Sequence, residues 1–480
     1  MSFQRILILI ALFAVIGGCT PENNPPQTAV AGAPSTAAST AVVHSPPLPP
    51  AIEKQVGALV QSPTLQDLVD RVGQRLVSRA AIPGYYKFYV LDQPEPNAHA
   101  LGTNYVFVTR GLLALLDDEA ELAAAMGHEI GHITLRHATQ RARERQAALA
   151  AATQAATTSG SVDVGRMVAR DGRVALLRYS RDQELEADRA GLDYIVKAGY
   201  RGDAMLTLVE KLRRESQLQE RVLGPIAASD APRSAMSTHP EPDDRLAALR
   251  TQELTRRPGD TDRADLLALI DGLSVDDRPE EGFVRGASFL HPIMKLGFRA
   301  PADFVLFNDR EGVVGVGRDR SVLYFSCTAQ RIPGRLDDWM RNKLTPTPTD
   351  IQTTTINGSE AAIGAKPRGA DTGLSQLRHV IVRNGPGICF FNLFANGPDR
   401  DRRIDEMVAA ARSFRFLSTA EAEALLPYRL HVIARGNETA QTLARRLPYP
   451  DFKLERLLAL NGVDDAAELA KRTDVKIVEP

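Results

Sequence analysis

Cysteine is nearly absent from this chain, whose 480 residues include three, at positions 19, 327 and 389. So few cysteines exclude a fold held together by several disulfides and a cysteine-rich zinc module. The formal net charge is only −1 and no basic stripe forms, which argues against a nucleic-acid partner. The apolar run at residues 6–16 is too short to cross a bilayer, which takes about 20 residues.

The remaining composition is that of an ordinary globular protein, with 44% hydrophobic and 24% charged residues. Its length predicts about three domains. The apolar run follows Arg5 and has the length of a signal-peptide core, so we expect the chain to be exported. Residues 19–50 are dominated by proline, alanine, serine and threonine, which predicts an unfolded tether.

A first motif lies in residues 119–137, EAELAAAMGHEIGHITLRH, which are rich in helix formers, lack proline and therefore predict a helix. Asp118 and Glu121 form a capping pattern at its start. His128 and His132 lie four residues apart, so both imidazoles share one face and can bind one zinc ion. Glu129 lies beside them as the candidate general base.

Three other residues of this segment carry expectations about packing. Gly127 and Gly131 repeat with the spacing of the histidines and thin the helix where another element could pack closely. His137 lies five residues after His132. It is therefore predicted to lie off the metal face and to have a structural role.

A second motif lies in residues 180–198, SRDQELEADRAGLDYIVKA, which predict another helix. Glu184 and Asp188 are again four residues apart and share a face. A catalytic zinc has three protein ligands and keeps a position for water, so Glu184 is the candidate third ligand. Asp188 is expected to accept the remaining N–H of a ligand histidine and so fix its tautomer.

HEIGH followed by SRDQELEAD resembles, in order and spacing, the gluzincin metallopeptidases of the HtpX and CAAX prenyl protease type. The resemblance covers roughly residues 60–250. It implies a zincin domain that binds one zinc ion through His128, His132 and Glu184. Because an export signal precedes the motifs and transmembrane helices are lacking, it also implies a periplasmic member of the family.

The strand-like segment before the first motif extends the resemblance. KFYVL at residues 87–91 and YVFVT at residues 105–109 predict strands of a small sheet. The family pattern assigns Asn97, Ala98, His99 and Ala100 to an edge strand that binds substrate backbone as an added strand. His99 stands where the family usually has an apolar aromatic residue, so it is either a specificity residue or a surface histidine without that role.

His239 stands in a Thr-His-Pro segment that relatives share, in a loop that enters a helix. In periplasmic relatives this histidine can occupy the open position of the zinc. Two roles follow for His239: an auto-inhibitory fourth ligand, or a donor that stabilises the tetrahedral oxyanion. A loop histidine without contact to the metal is the third alternative.

The sequence IGGC at residues 16–19 resembles a bacterial lipobox. The resemblance implies that residues 1–18 are a lipoprotein signal peptide and that Cys19 carries the lipid. The following Thr20 favours the outer over the inner membrane. Cys327 and Cys389 would then lie in an oxidising compartment, where they form one disulfide or remain free thiols.

The middle of the chain changes in texture. Residues 253–284 are charged and rich in proline and glycine, which predicts a linker with one short helix. Residues 285–418 contain strand-like runs such as FVLFN, SVLYFSC and GICFFNLF and a closing helix at 403–416. They predict an α+β accessory domain without a catalytic constellation, and they faintly resemble the PsbP/Mog1-type fold.

Residues 428–480 show the order strand, helix, helix, strand and resemble a LysM module. The resemblance implies binding of peptidoglycan sugars. However, Gly436-Asn437-Glu438-Thr439 replaces the usual Gly-Asp-Thr turn, so a domain for other interactions is the alternative.

These observations predict an α+β protein: a mainly helical zincin-type metalloprotease domain with a small sheet at residues 51–252, the accessory domain and a βααβ module. The predicted function is zinc-dependent hydrolysis of peptide bonds in misfolded or misassembled cell-envelope proteins. The alternative is a chaperone or assembly factor for outer-membrane proteins with a latent, auto-inhibited metal site. The expected partners are unfolded envelope proteins, the outer membrane through the lipid anchor, and peptidoglycan.

Overall fold

The computed structural model describes residues 44–159, 181–226, 239, 242–309, 311–365 and 376–480. The predicted signal peptide, the lipidation site Cys19 and most of the tether lie outside these residues. The described chain mixes helices with separate, mainly antiparallel sheets, as the α+β class predicts. Within those ranges, no helix combines the length and the apolar character needed to cross a membrane.

The first region is mainly helical. Its helices are α1 (Pro50–Val56), α2 (Pro63–Arg79), α3 (Arg110–Leu115), α4 (Glu119–Thr134), α5 (His137–Ser159), α6 (Arg181–Lys197), α7 (Ala204–Leu223), α8 (Pro242–Arg250) and α9 (Arg263–Ile270), with single 3₁₀ turns at Gly224–Ile226 and Glu253–Arg256. The central helix α4 is almost completely buried because its sequence is apolar on nearly every side.

A three-stranded sheet packs beside these helices. It consists of β1 (Lys87–Leu91), β2 (Ala98–Leu101) and β3 (Tyr105–Thr109), in the order β1-β3-β2. β1 runs parallel to β3, whereas β2 runs antiparallel to it after a turn with Gly102 at φ +65°. The two predicted strands are confirmed, and β2 lies at one edge of the sheet.

The second region is dominated by strands. They are β4 (Phe283–Arg285), β5 (Ser288–His291), β6 (Leu296–Arg299), β7 (Phe304–Asp309), β8 (Gly312–Gly317), β9 (Val322–Thr328), β10 (Thr349–Ile356), β11 (Ser359–Ala365), β12 (Gln376–Asn384), β13 (Gly387–Ala395) and β14 (Arg415–Phe416), with helices α10 (Leu336–Lys343) and α11 (Arg400–Arg412). Seven strands form one sheet in the order β10-β11-β12-β13-β9-β8-β7, and four form a second in the order β14-β6-β5-β4.

In this region one feature differs from the sequence-based prediction, and another decides whether the two cysteines are bonded. The predicted helix at 403–416 is wrong in its end: it stops at Arg412, and β14 pairs with β6 instead. The Ser413 hydroxyl accepts the Arg299 N–H at 2.8 Å, which draws the chain out of the helix and onto that strand. Cys327 and Cys389 face each other on β9 and β13 and form a disulfide with an S–S distance of 2.06 Å.

The C-terminal region has a short helix α12 (Thr419–Glu423), then β15 (Arg429–Ala434), α13 (Ala440–Arg446), α14 (Lys453–Leu460), α15 (Ala466–Leu469) and β16 (Asp474–Glu479). β15 and β16 pair antiparallel, so the strand, helix, helix, strand order holds with one extra short helix. Leu430 of β15 belongs to the hydrophobic core of the first region. Its backbone exchanges hydrogen bonds with Gly272 and Leu273, just after α9.

A buried lysine of the last strand anchors this region to the first. Lys476 is 2% exposed, and its ammonium donates to the carbonyls of Ala114, Leu115 and Leu116 at 2.8–3.1 Å. These carbonyls lie at the C-terminal end of α3, where the helix leaves acceptors unpaired and favours a cation. Asp117 adds an ion pair to the same ammonium at 3.2 Å.

Asp117 is the centre of a charged cluster directly before α4. Lys211 of α7 lies 3.0 Å from its carboxylate, and Arg472 lies 2.7 Å away. The Asp117 N–H donates to the Glu121 carboxylate in the first turn of α4 at 2.7 Å. The start of α4 is therefore held by side chains from α7 and from the end of the chain.

We expect Lys476→Met to lower the free energy of unfolding by about 3 kcal/mol, because a buried carboxylate and three helix-end carbonyls lose a donor. Urea unfolding of the full-length protein measures this. Lys471→Met changes an exposed lysine of the same region and is the matched control. Superimposable unfolding curves for Lys476→Met and wild type would contradict the anchoring role.

Candidate metal centre

Helix α4 carries the first motif as predicted. The Asp118 carboxylate accepts the Glu121 N–H at 3.0 Å and so caps the helix. The Glu121 side chain reaches Asp117 rather than the backbone of Asp118, so the capping box is not reciprocal. His128 and His132 lie on one face, with their Nε2 atoms 3.0 Å apart.

Helix α6 packs against α4 at a contact that only glycine permits. A Cβ atom at Gly131 would lie 2.9 Å from the Ala187 carbonyl oxygen. A Cβ at Gly191 would lie 2.8 Å from the backbone nitrogen of His128. Such distances are shorter than side chains tolerate, so the backbones of the two helices touch. The predicted thinning of α4 at Gly127 and Gly131 is confirmed, and the contact brings Glu184 beside the histidines.

Four buried side chains offer metal-binding atoms to one point. The donor atoms of His128, His132, Glu184 and His239 all lie within 4.8 Å of one another. The His239 Nδ1 atom lies 3.2 Å from the His128 Nε2 atom and 3.0 Å from a Glu184 oxygen. Both histidines of α4 lie 3.5 Å from that carboxylate.

The donor set fits zinc. Three imidazoles and a carboxylate are ligands that zinc takes in tetrahedral sites. With bonds of about 2.0–2.1 Å, the ligand atoms of such a site lie about 3.3 Å apart. The Nε2 atoms of His128 and His132 lie 3.0 Å apart, and each lies 3.5 Å from a Glu184 oxygen. These separations bracket that value.

Residues 63–253 match a known family, described as peptidase family M48. The family match and the buried donor set together support a zinc metalloprotease. Among similar proteins, the beta-barrel assembly-enhancing protease of Escherichia coli (strain K12) is 30% identical over 212 residues, which cover 42% of this chain and 41% of that protein. The mitochondrial metalloendopeptidase OMA1 of Schizosaccharomyces pombe is 31% identical over 146 residues, 30% of this chain and 43% of that protein. The chain thus spans about two fifths of these curated relatives.

The comparison with solved structures is weaker. The solution structure of cyanobacterial PsbP (CyanoP) from Synechocystis sp. PCC 6803 covers 27% of this chain and 91% of its own chain, at 13% identity and a TM-score of 0.22. A score this low carries no conclusion about the accessory region, whose PsbP-like fold stays a prediction.

Glu129 lies beside the donor set without belonging to it. Its side chain is 2% exposed, and one carboxylate oxygen lies 3.4 Å from the His239 Nε2 atom. His239 therefore faces the metal-binding point with one ring nitrogen and Glu129 with the other. A carboxylate at this place can exchange protons with a molecule held at the centre.

Asp188 and Arg245 support the ligands from behind. Asp188 accepts from the His128 Nδ1 atom at 2.8 Å, as predicted for a carboxylate that fixes the tautomer of a ligand histidine. Arg245 of α8 donates two hydrogen bonds to Asp188 at 2.7 and 2.8 Å and lies 3.4 Å from Glu184. No sequence motif indicated Arg245, because nothing local to α8 shows that this helix meets α6.

The electrostatics of the centre favour a bound cation. Burial raises the pKa of Asp188, but the Arg245 guanidinium and His128 outweigh it and hold the pKa at about 2. Burial lowers the pKa of His128, whereas hydrogen bonds to Asp188 and Glu184 raise it to about 9. Carboxylates that favour a proton on His128 also favour a metal ion in its place. Burial, with His128 and His239 nearby, lowers the pKa of His132, which keeps that ligand neutral.

His137 is closer to the centre than its spacing predicted. Its side chain is fully buried, and its Nδ1 atom lies 2.8 Å from the Nδ1 atom of His132. Its Nε2 atom lies 3.2 Å from Glu186 of α6. His137 is off the metal face, as expected, but the expectation of a merely structural role overlooked this contact with a ligand.

The predicted segment lies at an edge of the small sheet, and its role in substrate binding stays a prediction. Ala98, His99 and Ala100 belong to β2, and the Asn97 carbonyl accepts the Thr109 N–H at 2.9 Å just before it. The His99 ring stacks on Phe107 with centroids 5.1 Å apart. Burial lowers the pKa of His99, while the negative charge of Glu129 raises it. The charge of Glu129 therefore influences the protonation of His99.

Proposed function

We propose that the chain is a zinc-dependent endopeptidase that hydrolyses peptide bonds of misfolded or misassembled cell-envelope proteins. The observation that carries this proposal is the buried group of His128, His132 and Glu184 with Glu129 beside it. The similarity to a beta-barrel assembly-enhancing protease supports a role in the assembly of outer-membrane proteins. That relative extends well beyond the matched segment, so its whole activity is not transferred.

The residues divide the work of peptide hydrolysis. His128, His132 and Glu184 would hold the zinc ion, and Asp188 would orient His128. When bound, zinc polarises a peptide carbonyl and makes water a nucleophile at neutral pH. Glu129 accepts a proton from the attacking water and delivers it to the leaving amine. Because Glu129 is 2% exposed, little solvent screens this transfer.

His239 is proposed as an auto-inhibitory fourth ligand. Its Nδ1 atom stands among the other three donors, at 3.0 Å from Glu184 and 3.2 Å from His128. A catalytic zinc needs that position for water or substrate. The same placement supports the alternative function, a chaperone or assembly factor whose metal site stays latent. The oxyanion-donor role remains the competing assignment for His239.

Substrate binding is assigned to the edge of the small sheet. Among the described strands β2 pairs with β3 alone, and its residue His99 lies close enough to Glu129 for that carboxylate to act on the His99 pKa. An extended chain that pairs with Ala98, His99 and Ala100 would present its backbone without a demand for particular side chains. This mode suits a protease that selects unfolded segments.

The location of the protein is likewise a proposal. The lipobox-like sequence assigns Cys19 to a lipid anchor in the outer membrane, and the residues after it to a tether on its periplasmic face. The predicted end of the tether at residue 50 is wrong, because the Ser45 hydroxyl donates to Asp70 at 2.6 Å and Leu48 is buried. The C-terminal LysM-like region is assigned to peptidoglycan or to another partner in the envelope. Both assignments rest on sequence patterns alone.

Glu129→Gln should abolish cleavage of an unfolded protein such as reduced casein while one zinc ion per chain remains bound, because the amide cannot accept a proton. Proteolysis assays with metal analysis of the same samples measure both quantities. Glu144→Gln, an exposed change on α5, is the control. Cleavage at the wild-type rate by the Glu129 variant would refute the mechanism.

His239→Ala separates the roles of that histidine. An inhibitory ligand predicts a severalfold higher rate of casein cleavage, because its removal opens a coordination position. An oxyanion donor predicts a rate lower by about 100-fold. The initial rate at saturating substrate decides between them, and an unchanged rate would exclude both roles.

A further inference from the structure

We propose that His137 and Glu186 are positioning residues for His132, forming a hydrogen-bonded chain that fixes the tautomer and orientation of this ligand. The proposal rests on the metal-binding role of His132 in the proposed function. It assigns a role to a histidine that no feature of the two motifs requires and to a carboxylate on the flank of α6.

The backbone after the motif is built to return His137 to the site. α4 ends at Thr134, and α5 begins at His137. Between them Arg136 adopts φ +57°, a left-handed conformation that is unfavourable for a residue with a side chain. A continuous helix would carry residue 137 around to another face. The break instead seals its ring completely from solvent, against His132.

The positions of the protons on His132 and His137 follow from which nitrogen of His132 binds the metal. The His132 Nε2 atom belongs to the donor set, so its lone pair is needed for the metal and its proton lies on Nδ1. The Nδ1 atom of His132 must then donate to Nδ1 of His137 across 2.8 Å. That leaves the proton of His137 on Nε2, which donates to Glu186 across 3.2 Å. A single direction of donation satisfies all three groups.

The two ligand histidines of α4 are thereby supported in different ways. His128 donates to the carboxylate of Asp188, whose charge is balanced by Arg245. His132 donates to a neutral imidazole instead. The centre already contains the buried carboxylates Glu129 and Glu184, so a neutral acceptor orients His132 without adding a further charge.

His137 and Glu186 should contribute unequally to metal binding. His137 is fully buried, whereas the Glu186 side chain is 54% exposed and its hydrogen bond is screened by solvent. Replacing His137 removes a buried acceptor of the His132 N–H, which is the larger loss. Replacement of His137 should therefore weaken metal binding more than replacement of Glu186.

The test measures the zinc dissociation constant of the full-length protein by competition with a chromophoric chelator. His137→Leu keeps volume but removes the acceptor, and we expect zinc binding about 10–100-fold weaker. His137→Asn restores an acceptor oxygen near the place of Nδ1 and should recover most of that loss. Glu186→Ala should weaken zinc binding about twofold to fivefold, with Asp193→Ala, which removes a carboxylate side chain 40% exposed on the same helix, as the control.

Recovery by asparagine distinguishes positioning from packing, since a packing role would not favour Asn over Leu. Wild-type zinc affinity in His137→Leu, or equal losses in the Leu and Asn variants, would overturn the proposal. If His137→Leu does not fold, the exposed site decides: an affinity of Glu186→Ala equal to that of Asp193→Ala would contradict the chain. A wild-type protein that takes up no zinc would instead refute the proposed function itself.

Discussion

The structure depends on one contact, the close approach of α4 and α6 through glycine. Gly131 and Gly191 bring the two backbones so near that a Cβ at either position would collide with the opposite helix. Two helices with ordinary side chains at this crossing would lie farther apart. Glu184 would then be withdrawn from the histidines, and the four donors could not meet at one point. The chemistry of the centre is therefore set first by packing.

Once the helices meet, the balance of charge determines what the centre can hold. Three carboxylates, those of Glu129, Glu184 and Asp188, are buried around the centre. Arg245 compensates part of this charge through two hydrogen bonds to Asp188. A divalent cation bound by the imidazoles and Glu184 would compensate the rest, since buried carboxylates need a nearby positive partner. The same carboxylates raise the pKa of His128.

Much of the centre could be predicted from sequence because its faces are local. Residues four apart share a helix face, so His128 with His132 and Glu184 with Asp188 are paired by periodicity alone. Arg245 could not be predicted, because it meets Asp188 across 57 residues. The contact between His137 and His132 could not be predicted from the spacing of a continuous helix, because the chain breaks at Arg136.

The fold shows the same division between local and distant constraints. Alternating apolar and turn residues predicted the strands of the accessory region well. Sequence patterns did not show that Leu430 and Lys476 pack into the first region, because that depends on cavities and unpaired carbonyls far away in the chain. To predict the disulfide between Cys327 and Cys389 one would need the register of β9 and β13, which only the pairing of the strands defines.

The most direct test of the account is X-ray absorption at the zinc edge of the full-length protein as purified, with metal analysis of the same sample. The account predicts one zinc ion per chain whose ligands are all nitrogen or oxygen at about 2.0–2.1 Å, with the scattering pattern of imidazole. A protein that retains no zinc, or a sulfur ligand at about 2.3 Å, would contradict the assignment of His128, His132 and Glu184 as the metal centre.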